Sequence, residues 1–121
     1  MFLEDIIQFC GQLLGVEETF PFDEKTLVWK VMNKMFCVGD VENFHSITVK
    51  CQPDRALLLR EEHPQIGPGY HMNNKHWITI NLEGMDQPLV FELIQNSYQL
   101  VVQKLPVKQK EQLKELTIWK R

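Results

Sequence analysis

Cysteine is scarce in this sequence: three residues, Cys10, Cys37 and Cys51, widely spaced and without a C-x-x-C pair. An odd, dispersed set excludes a disulfide framework and offers no four-ligand zinc site. It fits reduced, mostly buried thiols in a cytoplasmic protein that binds no metal. Long apolar runs are lacking too. None approaches the roughly 20 residues a helix needs to cross a bilayer, so no membrane partner is expected. Glu4 and Asp5 stand where a signal peptide carries lysine or arginine, which argues against export. Repeats, low-complexity stretches and linkers are absent, and residues 1–121 read as one domain, large enough to bury a core without staples.

Motifs that carry catalysis are equally thin. There is no serine elbow, no G-x-G-x-x-G and no phosphate loop. His71 and His76 are five apart, a spacing with no helical metal geometry, and no third ligand is obvious near them. A Cys–His nucleophile pair would have to join Cys37 or Cys51 to His71, yet both cysteines fall in predicted strands, where buried thiols are inert. The expectation is a protein that is not an enzyme and holds no cofactor.

What is present is an ordinary globular composition, 44% apolar and 24% charged, with a net charge of −3. The charge is unevenly spread. Residues 1–44 carry eight acidic and three basic side chains, whereas residues 45–77 and 78–121 are each net positive by one. All four histidines (His45, His63, His71 and His76) fall in the middle third, which mild acid would make distinctly positive. This balance argues against tight non-specific nucleic-acid binding by charge alone and leaves room for a local patch.

Phe2, Ile6, Phe9 and Leu13 recur at helical spacing beside Leu3, Ile7, Cys10 and Leu14, and Gly15 can stop the helix. So wide an apolar face belongs against a sheet. Phe20-Pro21-Phe22 reads as an extended connection. Residues 27–32 and 35–41 read as a hairpin around Asn33-Lys34. That register sets Val31 opposite Phe36 and Trp29 opposite Val38 on the core face, and Lys30 opposite Cys37 on the other. In residues 46–51, Ile47, Val49 and Cys51 alternate with Thr48 and Lys50. Pro53 suits the first turn of a short helix that Pro64 ends. Residues 64–76 read as loop with room for a short edge strand, and 77–82 as a strand with Ile78, Ile80 and Leu82 inward. Asp86 can cap a long helix that runs to Leu105, and a tail helix follows Pro106. This order predicts the α+β class, an antiparallel β-sheet of meander hairpins backed by helices.

The unusual stretch is GPGYHMNNKHW, residues 67–77. With the isoleucines of strand 77–82 inward, Trp77 points onto the polar face, beside Lys75 and near Thr48 and Lys50. There an aromatic ring can stack on a base while cations hold phosphate. The competing reading packs Trp77 beneath the tail helix and leaves the loop to close a turn. Arg55, Arg60 and Lys50, with Glu61 and Glu62 nearby, read as a solvated face.

Five runs, GVEETFPF (15–22), LVWKVMNKMFCVGDV (27–41), KCQPDRALLLREEHP (50–64), PGYHMNNKHWITINLEG (68–84) and ELIQNSYQLVVQKLP (92–106), resemble the MmcQ/YjbR family in order and through almost the whole chain. The resemblance implies a fold akin to the frataxin/CyaY-like one, and DNA binding by a double wing of β-hairpins. By position its motif lands on His71, Asn73, His76 and Trp77, with Lys75 between them. Asn74 is a departure, since the family often has lysine there, which removes one cation from any phosphate-facing surface. The resulting expectation is a DNA-binding protein that uses its β-hairpins and the 70–77 loop. Lys50, Tyr70, His71, Asn73, Lys75, His76 and Trp77 are the candidate contacts. The alternative is a module that binds a protein or small ligand in a cleft around Tyr70, His71 and Trp77, with no nucleic acid.

Overall fold

A computed structural model describes residues 1–69 and 72–119, with side chains described as far as Leu116. Its elements are α1 (Leu3–Gly11), β1 (Val16–Thr19), β2 (Thr26–Val31), β3 (Lys34–Asp40), β4 (Ser46–Lys50), α2 (Pro53–Glu62), β5 (Ile66–Pro68), β6 (Trp77–Asn81), α3 (Gln87–Gln103) and α4 (Val107–Trp119). The strands form an antiparallel sheet in the order β1-β2-β3-β4-β6-β5. β1 to β4 make a meander. The chain then passes through α2 and returns as the β5–β6 hairpin, with β6 beside β4. The protein is α+β.

Local chemistry sets the helix starts. The Asp5 carboxylate accepts the Phe2 N–H at 2.7 Å, Pro53 opens α2, and the Asp86 carboxylate accepts the Leu89 N–H at 3.3 Å at the head of α3. One face of the sheet, with Leu27, Trp29, Cys37, Ile47, Val49, Ile78 and Ile80, is buried. The core joins it to Ile6 and Cys10 of α1 and to Val90, Leu93, Ile94 and Val101 of α3. The two helices also hold each other. Phe9 stacks on Phe91 with centroids 4.4 Å apart, and the Tyr98 hydroxyl donates to the Leu14 carbonyl at 2.6 Å.

The β2–β3 turn falls on Met32-Asn33, one residue earlier than the sequence suggests. Both residues are left-handed, with φ of 48° and 65°, the backbone that a two-residue primed turn requires. Val31 therefore pairs with Lys34, and a register shift between Trp29 and Lys30 brings Trp29 opposite Cys37. Cys37 belongs to the core face, not the outer one, and Val38 takes the outer face. The bulge buries the consecutive side chains Phe36 and Cys37 together. A second difference is β1, a strand to which the sequence assigns no element, between the first helix and the Phe20–Phe22 connection. Glu17 and Glu18 sit exposed on this edge strand, whose free side tolerates charge.

Candidate nucleic-acid interface

Two of the seven candidate contacts, Tyr70 and His71, lie outside the described residues, and with them most of the expected cleft. The others can be located. Lys50 and Trp77 are direct partners across β4 and β6, so their side chains leave the sheet on the same face. One pair further along, the hydroxyls of Thr48 and Thr79 meet at 3.0 Å. Trp77 is half-buried. A Cβ at Gly69 would stand 2.6 Å from the Trp77 Cβ, so the loop backbone lies against Trp77 and glycine is the residue that fits.

Asn73 and His76 build the turn that leads into β6. The Asn73 side-chain oxygen accepts the Lys75 N–H at 2.8 Å, and its carbonyl accepts the His76 N–H at 3.1 Å. The His76 carbonyl in turn accepts the Cys51 N–H at 2.8 Å, tying the loop to the end of β4. Lys75 is left exposed at the tip. The tail helix is elsewhere. Leu113 of α4 packs where a Cβ at Gly15 would be, on the β1 side of the sheet. Trp77 is four strands away, about 19 Å at ordinary strand spacing.

His45 and His76 stand at opposite ends of β6. The His45 carbonyl accepts from Leu82 at the end of β6, while His76 precedes the start of that strand. Arg55, read as solvated, is bound to Glu92 of α3 through contacts of 2.6 and 2.8 Å. The cysteines are buried. Burial pushes the Cys37 thiol well above its ordinary value, reinforced by Cys10 beside it, and burial also raises Cys51. Neither is a ready nucleophile.

Sequence reasoning missed how the strands sort charge. In the antiparallel register, the β2–β3 turn, the end of β4, the 72–76 loop and the start of β6 share one end of the sheet. Lys34, Lys50 and Lys75 stand there, joined by Lys104, the C-cap of α3. Asp40, Glu42, Glu83 and Asp86 stand at the opposite end, with Asp86 at the head of α3. The helix dipole favours both placements, acid at its N-terminus and lysine at its C-terminus. Glu17 opposite Lys30, and Asp54 in the recess with Lys75 and Arg60, temper the basic end. α3 alone, with 17 residues, separates the two ends by about 25 Å, against a screening length of about 8 Å at physiological salt. The net charge therefore says little about the field at the hairpin end.

The same architecture recurs in known proteins. A Deinococcus radiodurans crystal structure of the DUF419 domain superposes with a TM-score of 0.86 at 39% identity, covering 92% of this chain and 86% of that one. A Pseudomonas syringae protein matches with a TM-score of 0.71 at 25% identity, over 83% of this chain and 98% of that one. The uncharacterised protein YjbR of Escherichia coli K12 is 32% identical over 118 residues, 96% of this chain and all of that protein. YyaQ of Bacillus subtilis, also uncharacterised, is 40% identical over 80% of this chain and 95% of its own length. None of these descriptions names an enzymatic activity. The YjbR family model itself matches residues 11–100, and the chain belongs to the YjbR family.

Proposed function

We propose that this protein binds DNA with the lysine-bearing end of its sheet, the β2–β3 turn and the 72–76 loop acting as two wings on the phosphate backbone. The observation that carries the reading is that both hairpin connections, with Lys34 and Lys75, lie at one end of the sheet together with Lys50 and Lys104, while Asp40, Glu42, Glu83 and Asp86 stand at the other. Lys34 and Lys75 are exposed and reach phosphate; Trp77, between them and beside Lys50, offers a half-open ring to an unpaired base. Asn73 has its side-chain oxygen committed to the turn, which favours backbone contact over base reading by that residue.

Four lysines limit the electrostatics. The slope of log K against log salt should be no steeper than about −3.6 for duplex, shallow for a DNA-binding protein. Fluorescence anisotropy with labelled duplex and single-stranded DNA, titrated at several salt concentrations, tests this. Lys34→Ala and Lys75→Ala should each weaken binding uniformly across sequences and flatten the slope by about one. Lys25→Ala is the control, because Lys25 is paired with Glu42 at the acidic end and should leave binding unchanged. Absence of binding at low salt and tens of micromolar protein, or equal effects of all three substitutions, would sink the reading.

A further inference from the structure

Beyond the Cys37–Val49 pair, β3 and β4 no longer pair, and a recess of about 340 Å³ opens against the end of α3. Lys34 and Met35 of β3, Lys50 of β4, and Val101, Lys104 and Leu105 line it. Three lysines, one each from β3, β4 and the C-cap of α3, thus line one recess. No carboxylate lines it, and among the described residues none of the three lysines is in an ion pair. Burial, and then the nearby Lys104 charge, push the Lys50 ammonium below its ordinary pKa. The fold therefore gathers like charges without a protein counter-ion, and the remaining wall is apolar: Val101 and Leu105 are buried, and Met35 is half-buried and adaptable.

The shape and charge narrow the occupant. A carboxylate or an internal phosphodiester brings one negative charge, and the diester also brings chain on both sides. A phosphate monoester brings about −1.5 to −2 near neutral pH and three acceptor oxygens, on the tip of a single organic group. Lysines, as mobile point charges, suit such a dianion. The volume falls at the lower end of small-molecule sites, large enough for phosphate and a ring. We propose that this recess binds a small phosphate monoester, with Lys34, Lys50 and Lys104 on the phosphate and the organic group against Met35, Val101 and Leu105. This goes beyond DNA binding and does not depend on it.

The test uses the full chain with ¹³C-methyl methionine and phenyl phosphate as the probe. The Met35 methyl should shift saturably with a Kd of about 1 mM or tighter. Inorganic phosphate should bind roughly tenfold more weakly, for lack of the apolar contact. Lys50→Gln and Lys104→Gln should each weaken phenyl phosphate roughly tenfold, with the Met1 and Met85 methyls unmoved as evidence that the fold is intact. No saturable Met35 shift, unchanged affinity in both variants, or equal affinity for inorganic phosphate would overturn the proposal. Duplex DNA titrated into the same samples separates the two readings. Phenyl phosphate binding without duplex binding keeps this site and removes the DNA reading, and duplex binding without a phenyl phosphate response does the reverse.

Discussion

The Ser97 hydroxyl on α3 accepts the backbone N–H of Lys50 on β4 at 2.8 Å, and donates to the Phe36 carbonyl on β3 at 2.6 Å. It stands where the two strands part and bridges them just beyond their last ladder pair, Cys37 and Val49. Ser97 is fully buried, so water has no ready access to either group. Ser97→Ala should cost about 1–3 kcal/mol, the penalty of leaving buried backbone groups unpaired. Urea unfolding should show a lower midpoint with unchanged slope. A loss under about 0.5 kcal/mol would mean that the bridge is dispensable.

All three thiols should be slow toward a disulfide reagent in the native protein, because all three are buried and burial raises both Cys37 and Cys51. In urea all three should react at once. Fast native labelling of Cys37 would mean that the bulge does not hold it on the core face.

How far the sequence could be read depended on whether a pattern was local. Alternation in residues 46–51 and 77–82 placed Ile47, Val49, Ile78 and Ile80 inward, and the structure agrees. The long apolar periodicity behind Asp86 likewise gave α3. The β2–β3 register was illegible because alternation assumes a regular ladder, and one bulge at Phe36 moves Cys37 from one face to the other. β1 was missed because two adjacent glutamates break the apolar alternation that marks a strand, yet an edge strand tolerates them. The lysine end was invisible for a different reason. Lys34, Lys50, Lys75 and Lys104 are scattered over 71 positions in sequence, and only strand order and the direction of α3 bring them together.

Gly69→Ala should disturb Trp77 before it disturbs the fold, since the added methyl would meet the Trp77 Cβ at 2.6 Å and the backbone near it at 3.2 Å. In a Trp119→Phe background, Trp29 is fully buried and Trp77 half-exposed, so iodide reports on Trp77 alone. The substitution should increase quenching of that ring. Unchanged quenching would place the loop farther from Trp77 than the structure has it.

Asp23 shows how one exposed carboxylate can hold a turn. It accepts the N–H of Thr26 at 2.6 Å, the N–H of Lys25 at 2.9 Å and the Thr26 hydroxyl at 3.2 Å. These bonds, the Thr26 N–H first, hold its carboxyl below the usual aspartate value. A depressed folded pKa stabilises above the unfolded value, about 3.9, and the contribution is lost as pH falls through the folded one. Asp23→Ala should therefore loosen the 23–26 turn at pH 7, and wild type and variant should converge in strong acid. The turn is tied to the end of β3 by the Val41 N–H on the Lys25 carbonyl at 2.8 Å, so the opening stays local. Amide exchange at Thr26 is the measurement: faster in Asp23→Ala than in wild type near neutral pH, after correction for intrinsic rates. Asp23→Asn separates charge from geometry, because its amide oxygen can still accept one N–H. A variant that protects Thr26 as well as wild type at every pH would mean that the charge contributes nothing to the turn.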